Sequence, residues 1–323
     1  MLHKYTLKQI LLSAEWSDIR ASYDCCRNPE AWAIAMLVML MHGDRQHDKS
    51  YCTELSALLW QKFFSGDPSQ TAELRDTTPD QCEELPEELC VFLNTIPVNA
   101  KTLRSYEVPR TSLALQDITE ANERWCQYGN SPASQRLTYP LETIDPSKLR
   151  AFLSLDQVPR TGWTRTIPAF VQNHSLAESV AEHSIKTALL GVCAFPDNPA
   201  DLLIAGICHD HAELVTGDIP PQQTTDKAHK HAMELETYRQ MLSDIGNPPN
   251  ASVLFDSFQR CIYNTTPDAH LLHIVDKLDM ALQALTYENR FHINLTEFLV
   301  SATEDIVEAW RLMTHNDDVK KVL

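Results

Sequence analysis

Two histidines, three carboxylates and a Gly-Asp turn fall within fourteen residues, ICHDHAELVTGDIP, from Ile207 to Pro220. Imidazole and carboxylate donors at that density suit a divalent cation, and carboxylates are also the groups of general acid–base chemistry. His209 and Asp210 stand where the apolar DLLIAG enters polar sequence. Two further donors sit at the edge of apolar faces. His183, in ESVAEHS, lies three residues after Val180 and precedes Ile185, Ala188 and Leu189; Asp279 adjoins a face made by Leu271, Val275, Leu278 and Leu282. An unpartnered buried carboxylate is costly. One cation held by His183, His209, Asp210 and Asp279 would satisfy both imidazoles and both carboxylates together. Two nitrogens and two oxygens suit Mn, Co, Ni, Fe or Zn, and spacing does not choose among them. Plainer readings fit the same residues: a histidine beside an apolar stripe is commonly a hydrogen-bonded core residue, and Asp279 could pair with Lys277 or Arg290.

The elements that must position these residues read almost entirely as helix. TLKQILLSAEW, EAWAIAMLVMLMHG and CTELSALLWQKFF carry apolar residues at spacings of three and four. Between Gly66 and Pro97 the chain turns polar and acidic, which predicts a surface excursion with one short helix. Irregular sequence containing GNSPAS and TYP runs on to Ile144. Helix restarts at DPSKLRAFLSL, where Asp145 can cap and Pro146 fits the first turn. This divides the chain into an accessory helical region, residues 1–144, and a second part, residues 145–323. Six helices are predicted in the second part, among them SLAESVAEHSIKTALLGVCAF, PADLLIAGICHDHAEL and AHLLHIVDKLDMALQALTYENR. Alternating β-branched residues are scarce, so the fold class is all-α.

Composition excludes several functions. Against 44 acidic side chains stand 27 basic ones, a net charge of −17, which argues against nucleic-acid binding by phosphate neutralisation. A small phosphorylated substrate needs only one or two local cations and stays compatible. The longest apolar run, AWAIAMLVMLM from Ala31 to Met41, is too short to span a bilayer and predicts a buried helix. No secretion signal is evident, and nine unpatterned cysteines fit reduced thiols. The expectation is a cytoplasmic protein with no membrane or nucleic-acid partner.

With PRTGW at Pro159–Trp163, ESVAEHS at Glu178–Ser184, CHDHAELVTGDIP at Cys208–Pro220 and KLDMALQALTYE at Lys277–Glu288, the chain resembles the HD-domain metal-dependent phosphohydrolases. It is most similar in pattern to their 5′-deoxynucleotidase branch, over roughly residues 145–290. The resemblance implies an HD-domain helical bundle and His183, His209, Asp210 and Asp279 as ligands of one divalent metal. It makes Glu213 and Asp218 additional catalytic carboxylates, with Asp210 orienting the water. The arginine and tryptophan expected before the first metal histidine become Arg160 or Arg165, on the phosphate, and Trp163, near the sugar. Local spacing agrees. Glu213 lies four residues after His209, and Gly217 can end the helix and swing Asp218 back.

The activity implied is hydrolysis of a (deoxy)nucleoside 5′-monophosphate to nucleoside and phosphate. The alternatives are a triphosphohydrolase, to which Lys186, Lys227 and Lys230 could add cations, another small phosphoester hydrolase, or a non-catalytic nucleotide-binding regulator. Three features depart from the pattern: a longer connection between Trp163 and His183, His211 in place of a small residue, and His229 and His231 on the next helix. Those three histidines read as solvated residues or supporting donors, with a second metal as the competing reading. MHGDRQHD, with His42, Asp44, His47 and Asp48, mimics a metal cluster but reads as a polar exit turn. The first 144 residues match no recognised type; covering the site, narrowing substrate choice or forming a homodimer surface are the roles open to them.

Overall fold

The computed structural model describes residues 5–25, 30–42, 45, 48–63, 80–130, 144–173, 176–219 and 226–314. Asp44 and His47, and residues 131–143 of the irregular stretch, lie outside them. Among the described residues there are sixteen α-helices and no strand. The first region supplies α1 (Leu7–Leu12), α2 (Ser17–Cys25), α3 (Glu30–His42), α4 (Lys49–Phe63), α5 (Glu87–Arg104) and α6 (Leu113–Asn130). The second supplies α7 (Pro146–Phe152), α8 (Thr161–Thr166), α9 (Pro168–Gln172), α10 (Val180–Ala194), α11 (Pro199–Cys208), α12 (Glu213–Thr216), α13 (Lys227–Asp244), α14 (Ala251–Tyr263), α15 (Pro267–Phe291) and α16 (Thr296–Thr314). No helix among the described residues is long and apolar enough to cross a membrane.

Every residue of α10 is buried, because α11 and α15 pack against it from one part of the chain and α3, α4 and α5 from the other. The apolar run Ala31–Met41 is α3, buried throughout, as a helix apolar on all sides requires. The buried apolar side chains form one cluster from Leu7 to Met313. The two parts divided at residue 144 therefore share a core.

Two expectations change in detail. The acidic stretch ends in an eighteen-residue helix, α5, that runs through Pro97. Proline forfeits a backbone hydrogen bond there, but Leu89, Leu93, Ile96 and Ala100 bury one continuous face around it. The stretch PADLLIAGICHDHAEL is not one helix: α11 ends at Cys208 and α12 starts at Glu213. A helix end leaves its last carbonyls without intrahelical donors, and three are taken up separately here. His209 Nδ1 bonds Gly206 O at 2.8 Å, Trp32 Nε1 bonds Ile207 O at 2.7 Å, and His211 N bonds Cys208 O at 3.0 Å.

The crossing of α10 and α11 is unusually close. A methyl group on Gly206 would meet the backbone nitrogen of Ala188 at 2.6 Å and its Cβ at 2.7 Å. Only glycine lets the end of α11 come close enough for His209 to face His183.

Candidate metal centre

A capping box starts α10: Ser179 Oγ accepts from Glu182 N at 3.2 Å, and Glu182 Oε2 accepts from Ser179 N at 2.9 Å. This fixes His183 in the first turn. Its Nδ1 bonds Asp279 Oδ2 at 2.7 Å, which leaves Nε2 facing the end of α11. His209 is oriented in the same way, with Nδ1 on Gly206 O. The two Nε2 atoms therefore face each other at 3.3 Å. Asp210 Oδ2 lies 3.5 Å from His183 Nε2 and 3.3 Å from His209 Nε2. Donors held about 2.0–2.2 Å from one ion stand about 3.0–3.5 Å apart in octahedral or tetrahedral geometry. With Nδ1 held on an acceptor in both rings, the neutral form of each presents its Nε2 lone pair to the same point. Such an array fits a divalent cation.

The carboxylate beside that point is Asp276, which the sequence reading missed. Its Oδ1 lies 3.0 Å from His183 Nε2, and it shares a cavity wall with His209 and Asp210. Asp279, the carboxylate expected as a ligand, is fully buried on the other side of the His183 ring. Asp276 and Asp279 are one turn apart on α15, so sequence spacing puts both on one face. What separates them is access, since a working metal needs an open side and only Asp276 reaches the cavity.

Glu178, His183 and Asp279 form a second group of donors close enough to share an ion. There the cation is already a side chain. Lys186 Nζ pairs with Glu178 Oε1, lies 3.8 Å from Asp279 Oδ1, and donates to Gln283 Oε1 at 2.7 Å. Tyr23 Oη donates to Asp279 Oδ1.

Electrostatics divide the carboxyl groups by role. Burial opposes ionisation of Asp210, but His209, His183 and Arg160 outweigh it and hold its pKa below the usual range. Asp276 is likewise held low, with Lys277 first among its stabilisers against burial. Glu213 goes the other way: burial, then the charges of Asp210 and Asp218, raise it well above an ordinary carboxyl. Its Oε2 is buried and lacks a hydrogen-bond partner. Burial disfavours protonation of His183, as does Arg160, yet Asp276 and Asp279 raise its pKa to about 9. A proton and a metal thus compete for His183 Nε2.

Arg160 is delivered by a short bridge between Pro159 and Ser179, with Arg160 N on Glu178 O and Val180 N on Val158 O, both at 2.8 Å. Its Nη1 lies 3.0 Å from Asp210 Oδ2. Although burial works against the charge, Asp218, Asp210, Glu213 and Asp276 raise its pKa and hold it as a cation. Asp218 holds this turn in place: its Oδ2 accepts from Thr161 N at 2.5 Å, and its carbonyl accepts from Thr161 Oγ1 at 2.7 Å.

Other expected residues lie elsewhere. Trp163 is 2% exposed, packs on Phe298 and Tyr287, and donates its indole N–H to Glu178 Oε2 at 3.1 Å. It does not line the cavity. Arg165 is exposed to solvent. His211 is fully buried among Trp32, Phe152 and Tyr238, with Nε2 bonded to Phe152 O at 2.8 Å, and so turns away from His183. His229 is exposed, whereas His231 lines the cavity. In the MHGDRQHD segment, His42 and Arg45 meet the buried Asp117 at 3.5 and 2.5 Å, which makes an ionic clasp.

The cavity beside the donors has a volume of about 550 Å³. Its wall combines Asp276, Glu213 and His209 with Lys227, Lys230 and Lys277, and with the apolar Phe258, Ile262 and Leu272. None of its described lining comes from residues 1–144; the described helices α3, α4 and α5 of that region cover the back of α10.

Comparison with known proteins gives the family. The family model of the HD domain matches residues 153–313. The 5′-deoxynucleotidase hdd1 of Schizosaccharomyces pombe is 30% identical over 143 residues, covering 43% of this chain and 69% of that protein. The chain belongs to the HD-domain superfamily. Human 5′-deoxynucleotidase HDDC2 is 28% identical over 146 residues, covering 45% of this chain and 68% of its own. A solved structure of a conserved hypothetical protein from Pyrococcus furiosus aligns with 55% of this chain and 97% of its own, at 26% identity and a TM-score of 0.39. As an HD-domain protein, the chain is a metal-dependent hydrolase whose candidate donors lie in the matched segment. Tyr23 and Trp32, which back those donors, lie outside it.

Proposed function

We propose that this HD-domain protein hydrolyses (deoxy)nucleoside 5′-monophosphates to nucleoside and inorganic phosphate. The observation that carries the reading is the convergence of His183 Nε2, His209 Nε2 and Asp210 Oδ2 beside a cavity, with the raised-pKa Glu213 in its wall. His183, His209, Asp210 and Asp276 would hold the ion, and Asp279 would orient His183. A divalent cation bound there supplies an acidified water and screens the phosphoryl charge. Burial and the neighbouring Asp210 and Asp218 charges favour the protonated form of Glu213, which can pass a proton to the departing 5′ oxygen, the step that a phosphate monoester needs from a general acid. Asp210 accepts a hydrogen bond from the attacking water. Arg160 offsets charge on the phosphoryl oxygens, and Asp218 keeps it in position through Thr161. The cavity volume lies in the range of small-molecule sites, and its apolar wall suits a base and sugar. The names of the fission-yeast and human relatives support a 5′-deoxynucleotide as substrate.

Lys227 and Lys230 on the cavity wall favour one competing substrate, a nucleoside triphosphate. Metal-stripped protein, reconstituted in turn with Mn, Co, Ni, Fe and Zn, is assayed on mono- and triphosphates of ribo- and deoxynucleosides, with products resolved. Inorganic phosphate and nucleoside from monophosphates is the expected result. Release of triphosphate from triphosphates transfers the reading to the second substrate. Saturable nucleotide binding without turnover in any combination refutes hydrolysis and leaves a regulator.

A further inference from the structure

The donors of the candidate metal centre all come from the HD-domain part of the chain, yet side chains from the first region hold groups next to them. Behind His183 stands Asp279, and behind Asp279 stands Tyr23 of α2. Tyr23 is buried and gives its hydroxyl proton to Asp279 Oδ1, while Asp279 Oδ2 holds His183 Nδ1 at 2.7 Å. Its ring also lies 4.3 Å from Lys186 Nζ, the cation that neutralises Glu178 and Asp279. On either side of His209 in the chain, Trp32 of α3 holds its neighbours: its indole N–H takes the Ile207 carbonyl and its ring meets His211 edge-on, with centroids 4.7 Å apart.

We propose that Tyr23 is a positioning residue of the metal centre, through which the first region sets the affinity of the site for its ion. The physical reason lies in Asp279. A carboxylate that orients a metal histidine must keep one oxygen in the imidazole plane. Lys186 pulls from the opposite oxygen at 3.8 Å, a contact it can shorten if Asp279 rotates. Tyr23 occupies that second oxygen and holds the carboxylate square to His183. Without the hydroxyl, Asp279 turns toward Lys186, and the Nδ1–H bond that aims Nε2 is weakened. This inference rests on the metal-centre reading given above.

The test is the metal affinity of full-length apoprotein, measured by chelator competition for Zn²⁺ and by the visible spectrum of the Co²⁺ form. Tyr23→Phe removes one oxygen and leaves the ring, and its thermal melt without metal checks the fold. The expected result is Zn²⁺ binding about 10–100-fold weaker than wild type, the effect of losing an outer partner of a metal histidine, with an altered Co²⁺ spectrum. Asp279→Asn is expected to weaken binding by a similar factor. Adding Tyr23→Phe to it should cost less than twofold more, because Tyr23 acts through that carboxylate. A Tyr23→Phe protein that binds Zn²⁺ within twofold of wild type, or full additivity in the double variant, overturns the proposal. Wild-type protein that binds neither ion overturns the metal centre itself, a distinguishable outcome.

Discussion

His211 carries a sharp prediction about acid stability. It is fully buried, gives one ring nitrogen to Phe152 O and leaves Nδ1 unpartnered among aromatic rings. Burial lowers its pKa from 6.5 to about 4, opposed only by the Phe152 bond. A histidine with a lowered folded-state pKa is protonated first in the unfolded chain, so stability is lost as pH falls from about 6.5 toward 4. Linkage between those two values gives a loss of about 2.5 kcal/mol between pH 7.5 and pH 4.5. His211→Gln keeps a donor for Phe152 and removes the titration. The assay is urea unfolding of metal-free wild type and variant at both pH values. All other titrating groups are common to both proteins, so the difference between the two differences isolates His211. The variant is expected to gain about 2.5 kcal/mol on wild type as pH falls. Parallel profiles would mean that His211 is solvated or charged in the folded state, and the buried placement would be refuted.

Asp276→Asn removes a donor at the focus and is expected to abolish tight metal retention, whereas Asp279→Asn should only weaken it; chelator competition separates them, and the reverse order would restore Asp279 as the ligand. Glu213→Gln should retain metal and lose about 10²–10⁴ in kcat, read by phosphate release alongside metal analysis; loss of metal would make Glu213 a ligand. Gly206→Ala places a methyl against the Ala188 backbone and should cost about 1–3 kcal/mol of stability, with weaker metal binding because His209 moves off His183. Unchanged melting and metal affinity in that variant would show that the helices do not approach as closely as described.

Much of the second part was legible because its chemistry is local. HDHAELVTGD packs donors into a few residues, while the helix read from Ser175 starts at Val180, behind the capping box of Ser179 and Glu182. The all-helical class followed from apolar spacing, and α3 from its composition. The choice between Asp276 and Asp279 was not legible, since a helix presents both on one face and only the neighbours decide which oxygen meets the cavity. Trp163 raises a related question: a tryptophan before a ligand histidine looks the same in sequence whether its indole meets a sugar or, as here, Glu178. One of the three groups that take up the carbonyls at the end of α11 is Trp32, 175 residues from Ile207, which no local pattern encodes. For the same reason Tyr23 carried no signal, being one tyrosine in an amphipathic helix.

The burial of α10 on all sides sets the smallest unit in which this site can exist. In a chain reduced to residues 145–323, the side of α10 covered by α3, α4 and α5 would be bare, and Asp279 would lose its tyrosine. Exposed apolar surface of that extent is met by association. A shorter HD-domain chain would have to close this face with another surface, a second copy being the simplest. In this chain the first region closes that face of α10 within a single polypeptide.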